Sequence, residues 1–287
     1  MNALFALDDV AALLRDGMTI GIGGWGSRRK PMALVRAVVR SGVRDLTIVS
    51  FGGPDVGILC ATGQASTVVH GFVSLDTVAI DPYFAARRQR GEVRSVELDE
   101  GMLVAGLRAA SRRLPFEATR AGAGSDAVLR NPDIRTITSP YADGEVLVAM
   151  PAVPLDLALV HLDRADEHGT AVVLGPDAHF DDLFARAAAR TVASVEEVVS
   201  TSALLTGAGH TATVLNRTEI DRVVPCPGGA GFTAHPPFAP RDEALQGAYV
   251  AAAASPEAWD DFRRSFVDVD EATYRAEVAR FHAEART

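Results

Sequence analysis

The feature that most constrains this chain is a repeated order of segments. A short apolar run ends in glycine, and a stretch with helical spacing follows. "MTIGIGG" ends in two glycines and leads to Pro31, whose missing N–H is not needed in the first turn of a helix. Leu34, Val35, Val38 and Val39 then recur at helical spacing up to Gly42, a suitable C-cap. "DLTIVSFGG" repeats the strand-and-glycine ending, and "STVVHGFVS" and "VRSVELD" read as further strands. "DEGMLVAGLRAASRRL" reads as a helix with Leu103, Leu107, Ala110 and Leu114 on one face. "VLVAMPA" and "LDLALVHLDRAD" read as buried strands, "FDDLFARAAARTVASVEEV" begins as a helix, and "RVVPCPGGAGF" returns to a strand and a glycine loop. Two C-terminal helices are predicted, one opened by Ser255, Pro256 and Glu257 and one from about Asp270.

Strands this apolar need cover on both faces, and the interleaved helices supply it. The expected fold class is α/β, a mostly parallel sheet flanked by helices. Residues 1–287 are expected to form one domain, with C-terminal helices from about 255. Ligands of such sheets bind beyond the carboxyl ends of the strands. That rule gathers "GGWGSRRK", "FGGPD" and "PGGAGF" toward one site.

Composition excludes several classes. No apolar run reaches the ~18 residues of a membrane span. The opening "MNALFALDDVAALL" has no basic region and carries Asp8 and Asp9, so no secretory leader is expected and the location is read as cytoplasmic. A formal net charge of −9 argues against nucleic acid as a partner. Cys60 and Cys226 form no CxxC, and no pair of histidines has HxxxH spacing, so neither a disulfide scaffold nor a metal is expected.

The glycine loop lacks both GxGxxG and GxxxxGK[ST], which makes a nucleotide site weak. Its glycines can turn N–H groups toward an anion or an oxyanion, or they can simply make tight turns. Arg28, Arg29 and Lys30 are an anion contact or a solvated cluster. Ser27 has no GxSxG elbow and is a hydrogen-bond donor rather than a nucleophile. Trp25 packs on a substrate ring or seals the loop, with sealing the favoured role. His168 reads as a turn residue and His179 as a helix-start residue. Asp99 and Glu100, read from residues alone, start a helix.

These motifs are also where the chain resembles a known family. Asp16, Gly17, Gly23, Gly24 and Pro31 fall in register with the signature of family-I CoA-transferase α subunits. Gly21 stands for an apolar residue of that signature, Trp25 for phenylalanine and Arg29 for glycine. "ELDEGMLVAGLRAASRRLPF", "ADEHGTAVV" and "PGGAGFTAHP" resemble later segments of the family, with Gly231 where histidine is common. "GWGSRRKPMALVRA", "FGGPDVG", "GFVSLD", "DEGML" and "ITSPY" are most similar to its cholesterol-ring-cleaving hydrolase branch.

The resemblance implies a CoA-transferase (NagB/RpiA-like) fold and an α subunit that hydrolyses a C–C bond in the last carbocyclic ring of a steroid-derived CoA thioester. It implies a β subunit, an α2β2 heterotetramer, no membrane partner, and coenzyme A present only as part of the substrate, with no permanently bound cofactor. It makes Glu100 the catalytic residue, as general base toward water or as a nucleophile that forms an acyl-enzyme, with Glu97 as its competitor. Gly23, Gly24, Trp25, Ser27, Arg28, Arg29 and Arg120 become the substrate-binding candidates; Arg120 is otherwise a surface arginine. Two alternatives stay open: a 3-oxoacid or glutaconate-type CoA-transferase α subunit, and a non-catalytic subunit that completes a CoA pocket.

Overall fold

Strand and helix alternate from the first element of the computed structural model, which describes residues 2–141, 143–204, 206 and 212–285. Strand β1 (Thr19–Trp25) passes through the glycine loop into helix α1 (Met32–Ser41), which Gly42 closes in the left-handed conformation at φ +73°. Then follow β2 (Leu46–Gly52), α2 (Pro54–Ala61), β3 (Ala65–Val73), α3 (Pro82–Gln89), β4 (Arg94–Glu97) and α4 (Glu100–Ser111). The next stretch breaks the pattern. β5 (Phe116–Thr119), α5 (Asp126–Leu129), β6 (Arg135–Thr138) and β7 (Val146–Pro151) build a separate antiparallel sheet ordered β5–β7–β6.

The main sheet resumes with β8 (Leu157–Ala165), β9 (Ala171–Val173), α6 (Asp181–Ala187), β10 (Thr191–Val198), α7 (Thr201–Leu204), β11 (Thr213–Leu215) and β12 (Arg222–Pro225). Helices α8 (Glu243–Ala251), α9 (Pro256–Phe266) and α10 (Glu271–Glu284) follow. Ser255 caps α9 as expected, its Oγ accepting the Ala258 N–H at 3.2 Å. The strand order is β11–β9–β8–β1–β2–β3–β4, with β10 between β8 and β12. The pairings β1–β2, β1–β8, β2–β3, β3–β4, β8–β10 and β10–β12 are parallel, and only those of β9 are antiparallel within this sheet. The mostly parallel α/β sheet read from the sequence is therefore present.

Alternation along the strands divides the core. Ile20, Ile22, Ile48 and Leu159 pack on the face of α1 and α8–α10, with Leu34, Val38, Tyr249 and Phe262. Val49, Phe51, Ala158 and Val160 pack on the other face, with Leu103 and Leu107 of α4 and Phe184 of α6. Each such large apolar side chain contributes about 1.5–3 kcal/mol on burial. Gly21 explains one departure from the signature. A Cβ there would stand 2.4 Å from Leu155 Cδ1 and 2.9 Å from Phe184 Cδ1, so α6 lies directly on the strand.

Two expectations need correction. β7 is not a fully buried strand: Val148 and Met150 are buried in the cluster that holds Leu103 and Leu107 of α4, but Val146, at the start of the strand, is 60% exposed. Leu114 does not share the buried face of α4. The helix ends at Ser111, the chain turns at Arg113 with φ +59°, and Leu114 is left exposed.

Candidate active site at the carboxyl ends of the strands

The three glycine segments do meet. Arg29 N–H donates to Ala234 O at 2.7 Å, Ala33 N–H to Gly229 O at 2.9 Å, and Gly26 N–H to Phe51 O at 3.1 Å. Yet the loop after β1 is wired inward. Gly24 adopts φ +74°, where an added Cβ would meet the Arg28 and Arg29 carbonyl oxygens at 2.6 Å, and its N–H donates to Asp181 Oδ1 at 2.8 Å. Gly53 N–H goes to Asp55 Oδ1 and Gly228 N–H to Glu196 Oε2. These N–H groups are occupied by the protein's own acceptors, so they do not form the oxyanion-binding lining that the glycines suggested.

The cationic run is divided in the same way. Lys30 is fully buried; Nζ donates to Ser50 Oγ at 2.8 Å and lies 3.2 Å from Asp55 Oδ2, tying the first glycine loop to the second. Burial holds its pKa below the ordinary lysine value, against the pull of Asp55. Arg29 is 3% exposed, and its Nη2 donates to Asp181 Oδ2 at 3.0 Å. Its Nε and Nη1 have no hydrogen-bond partner among the described residues. Its φ is +43°, which explains why glycine suits this place in the signature and shows that arginine is held there under strain. Burial pushes the Asp181 carboxyl up to about 6, opposed by Arg29 and the Gly24 N–H. Ser27 is also fully buried, its Oγ donating to Gln246 Oε1. Arg28 alone of the run is open, 3.0 Å from Asp76.

An aromatic cluster fills the space above the strand ends. Trp25 stacks on Phe51 at 4.8 Å between centroids and lies 5.0 Å from Phe72. Trp25 thus seals the loop, as expected, while remaining partly exposed. Glu100 borders this cluster through Gly71, whose missing Cβ would stand 3.3 Å both from Glu100 Cα and from the Phe51 ring. The capping duty falls to Asp99, whose Oδ1 accepts the Met102 N–H at 2.7 Å. The Glu100 carboxylate has no hydrogen bond or ion pair among the described residues and is exposed. Desolvation, and then repulsion from Asp99, raise its pKa above the ordinary glutamate value. Glu97 sits on the opposite face of β4, 3.7 Å from Arg88 of α3. Arg120 is 79% exposed and clasps Glu145 at 2.5 and 2.7 Å; the next residue, Ala121, lies against Gly101.

Of the candidates read from the sequence, Glu100, Trp25, Arg28 and Arg120 reach the surface, whereas Gly23, Gly24, Ser27 and Arg29 lie beneath it. His168 is in a turn, with its N–H on Asp166 Oδ1, and His179 lies just before α6, matching their expected places.

A buried polar chain escaped the sequence reading. Ser194, His161, Glu196, His235 and Asp163 are linked in that order at 2.8, 2.9, 3.1 and 2.6 Å. The donor atoms of His161, Glu196 and His235 lie within 4.8 Å of one another and could converge on a cation, but each already has hydrogen-bond partners. Burial lowers the pKa of His161, whereas His235, despite burial, is raised by Asp163 and Glu196. The residues come from β8, β10 and the loop after β12, so no sequence spacing could show them. Phe51 and Phe72 had a visible signal: each is an aromatic beside a glycine at a strand end.

The chain belongs to the coenzyme A transferase family, whose model matches residues 6–224. It is 49% identical over 286 residues to the cholesterol ring-cleaving hydrolase IpdA subunit of Rhodococcus jostii, covering 97% of this chain and 96% of that one. The IpdA subunit of Mycobacterium tuberculosis is 49% identical over 284 residues, covering 97% of both chains. Among solved structures, glutaconate coenzyme A-transferase from Acidaminococcus fermentans shares the fold with a TM-score of 0.88 at 23% identity, covering 96% of this chain and 92% of that one. The decarboxylase AibA/AibB is similar at 31% identity and a TM-score of 0.80, covering 92% and 98%.

Proposed function

We propose, on the premise that the chain is a coenzyme A transferase family member, that it is the α subunit of a hydrolase. The reaction is opening of the last carbocyclic ring of a steroid-derived CoA thioester by C–C bond hydrolysis, in sterol breakdown. The observation that carries this reading is Glu100: a carboxylate with no hydrogen-bond or ion-pair partner among the described residues, raised in pKa, at the rim of an aromatic surface beyond the strand ends. Its nearness to the IpdA subunits in sequence supports the same reading.

Glu100 acts as general base. It takes a proton from water, whose oxygen attacks the ring ketone carbon. The bond from that carbon to the carbon beside the thioester breaks, and its electron pair is held as the thioester enolate. A proton then reaches the enolate carbon, the ketone carbon leaves as a carboxylate, and CoA stays attached. The raised pKa suits both halves, proton uptake and return. The Gly24, Gly53 and Gly228 N–H groups are spent on the protein's own carboxylates, so the enolate oxygen takes its donors from other groups. Arg28 and Arg120 are the accessible cations for the anionic groups of the substrate. A β subunit completes the pocket, in an α2β2 assembly, and no cofactor is bound permanently.

The test is turnover of the complex with its β chain on a cyclic β-keto CoA thioester, with and without a free carboxylate acceptor. Turnover that ignores the acceptor supports the reading; turnover that requires it makes the protein a transferase.

A further inference from the structure

His179 and Phe180 both adopt left-handed backbone angles, φ +51° and +61°, just before α6. Such angles cost a non-glycine residue roughly 1–2 kcal/mol each. The turn is over-determined: Asp181 N–H donates to Ala178 O, and the Leu183 and Phe184 N–H groups both donate to Phe180 O. Its effect is to lift the Phe180 ring out of the core. The ring sits 5.4 Å from Phe51 and 5.9 Å from Trp25, and it is 36% exposed, whereas Phe51 and Phe184 are fully buried. The strained backbone thus places an apolar aromatic face at the open side of the cluster that Glu100 borders.

We infer that Phe180 is a specificity-determining residue, whose ring is the face on which an alicyclic carbocycle of the substrate lies. This rests on the reading of the chain as a ring-cleaving subunit. A saturated ring offers C–H edges to an aromatic face and needs no hydrogen bond from it. Phe180 carries no group that can take part in bond making, so its contribution is binding alone.

The experiment uses the complex with its β chain, with Phe180→Ala and Phe180→Gly. Glycine relieves the left-handed strain and alanine does not, so a shared defect cannot come from backbone strain. Turnover is followed on a cyclohexanone-carboxyl CoA thioester, and binding of the same compound is followed by Trp fluorescence. Free coenzyme A, which lacks the ring, is the control inhibitor. Both variants are expected to raise KM and the dissociation constant by about tenfold, with kcat within about twofold and the inhibition constant of coenzyme A unchanged. Normal turnover with unchanged KM in both variants overturns the inference and leaves the functional reading standing. Phe180-dependent binding without turnover in the wild type upholds the inference and overturns the functional reading. Absence of both binding and turnover, or a parallel rise in the coenzyme A constant, overturns the inference.

Discussion

Asp181 is the residue on which Gly24 and Arg29 converge: one carboxylate oxygen takes the Gly24 N–H at 2.8 Å and the other the Arg29 guanidinium at 3.0 Å. The glycine loop is thereby clamped to the amino end of α6, the helix that Phe180 precedes. Removing one partner of a buried pair costs about 3–5 kcal/mol, and returning glycine to a left-handed position recovers about 1–2 kcal/mol of that. Arg29→Gly is therefore expected to destabilise the protein by about 1–4 kcal/mol in denaturant unfolding. Adding Asp181→Asn should restore part of the loss. Unchanged stability in Arg29→Gly would show that the clamp carries no energy.

Asp81 gives a pH-dependent test of the fold. It caps α3, accepting the Tyr83 and Phe84 N–H groups at 3.0 Å and the Tyr249 hydroxyl at 2.7 Å. Burial pushes its carboxyl up to about 7. The folded state holds the proton that the unfolded chain releases near pH 4, so this contribution is full below that pH and is lost as pH rises to about 7. The slope is at most about 1.4 kcal/mol per pH unit. Asp81→Asn keeps a neutral cap, so its stability relative to wild type should rise across that window. A difference that stays flat with pH would contradict the assignment.

Glu100 should dominate the acid limb of activity. As a base it must be ionised, so kcat/KM is expected to fall as pH drops through a value above the ordinary glutamate range. Glu100→Gln should lower kcat by at least about a hundredfold while leaving the unfolding midpoint unchanged, because Asp99 supplies the cap. An acid limb that survives the substitution would place the base elsewhere.

The chain without its β partner should have no ring-opening activity, and co-expression should give a complex of roughly 2:2 stoichiometry by light scattering. Full activity of the purified single chain would refute the need for a partner.

Much of this was legible in the sequence because parallel strands must be apolar on both faces and must end where helices begin. β1, β2, β3, β8 and α1 follow from that alone. The small antiparallel sheet was not legible as a unit, since β5 and β6 are four-residue strands with little burial. Glu100 could be singled out only through the family resemblance, since the residues alone read as a helix start. The inward direction of Ser27, Arg29 and Lys30 could not, because their partners Gln246, Asp181 and Asp55 come from other parts of the chain. The His161–Glu196–His235 chain was hidden for the same reason: its order exists only once β8 and β10 lie side by side.

The most direct test of the account is turnover of the complex in oxygen-18 water on a cyclic β-keto CoA thioester, analysed by mass spectrometry. The expected product is an open-chain acyl-CoA with one labelled oxygen in its new carboxylate, formed at a rate indifferent to added carboxylate and abolished by Glu100→Gln. An intact ring with CoA moved onto an added acceptor, and no label in a new carboxylate, would contradict it.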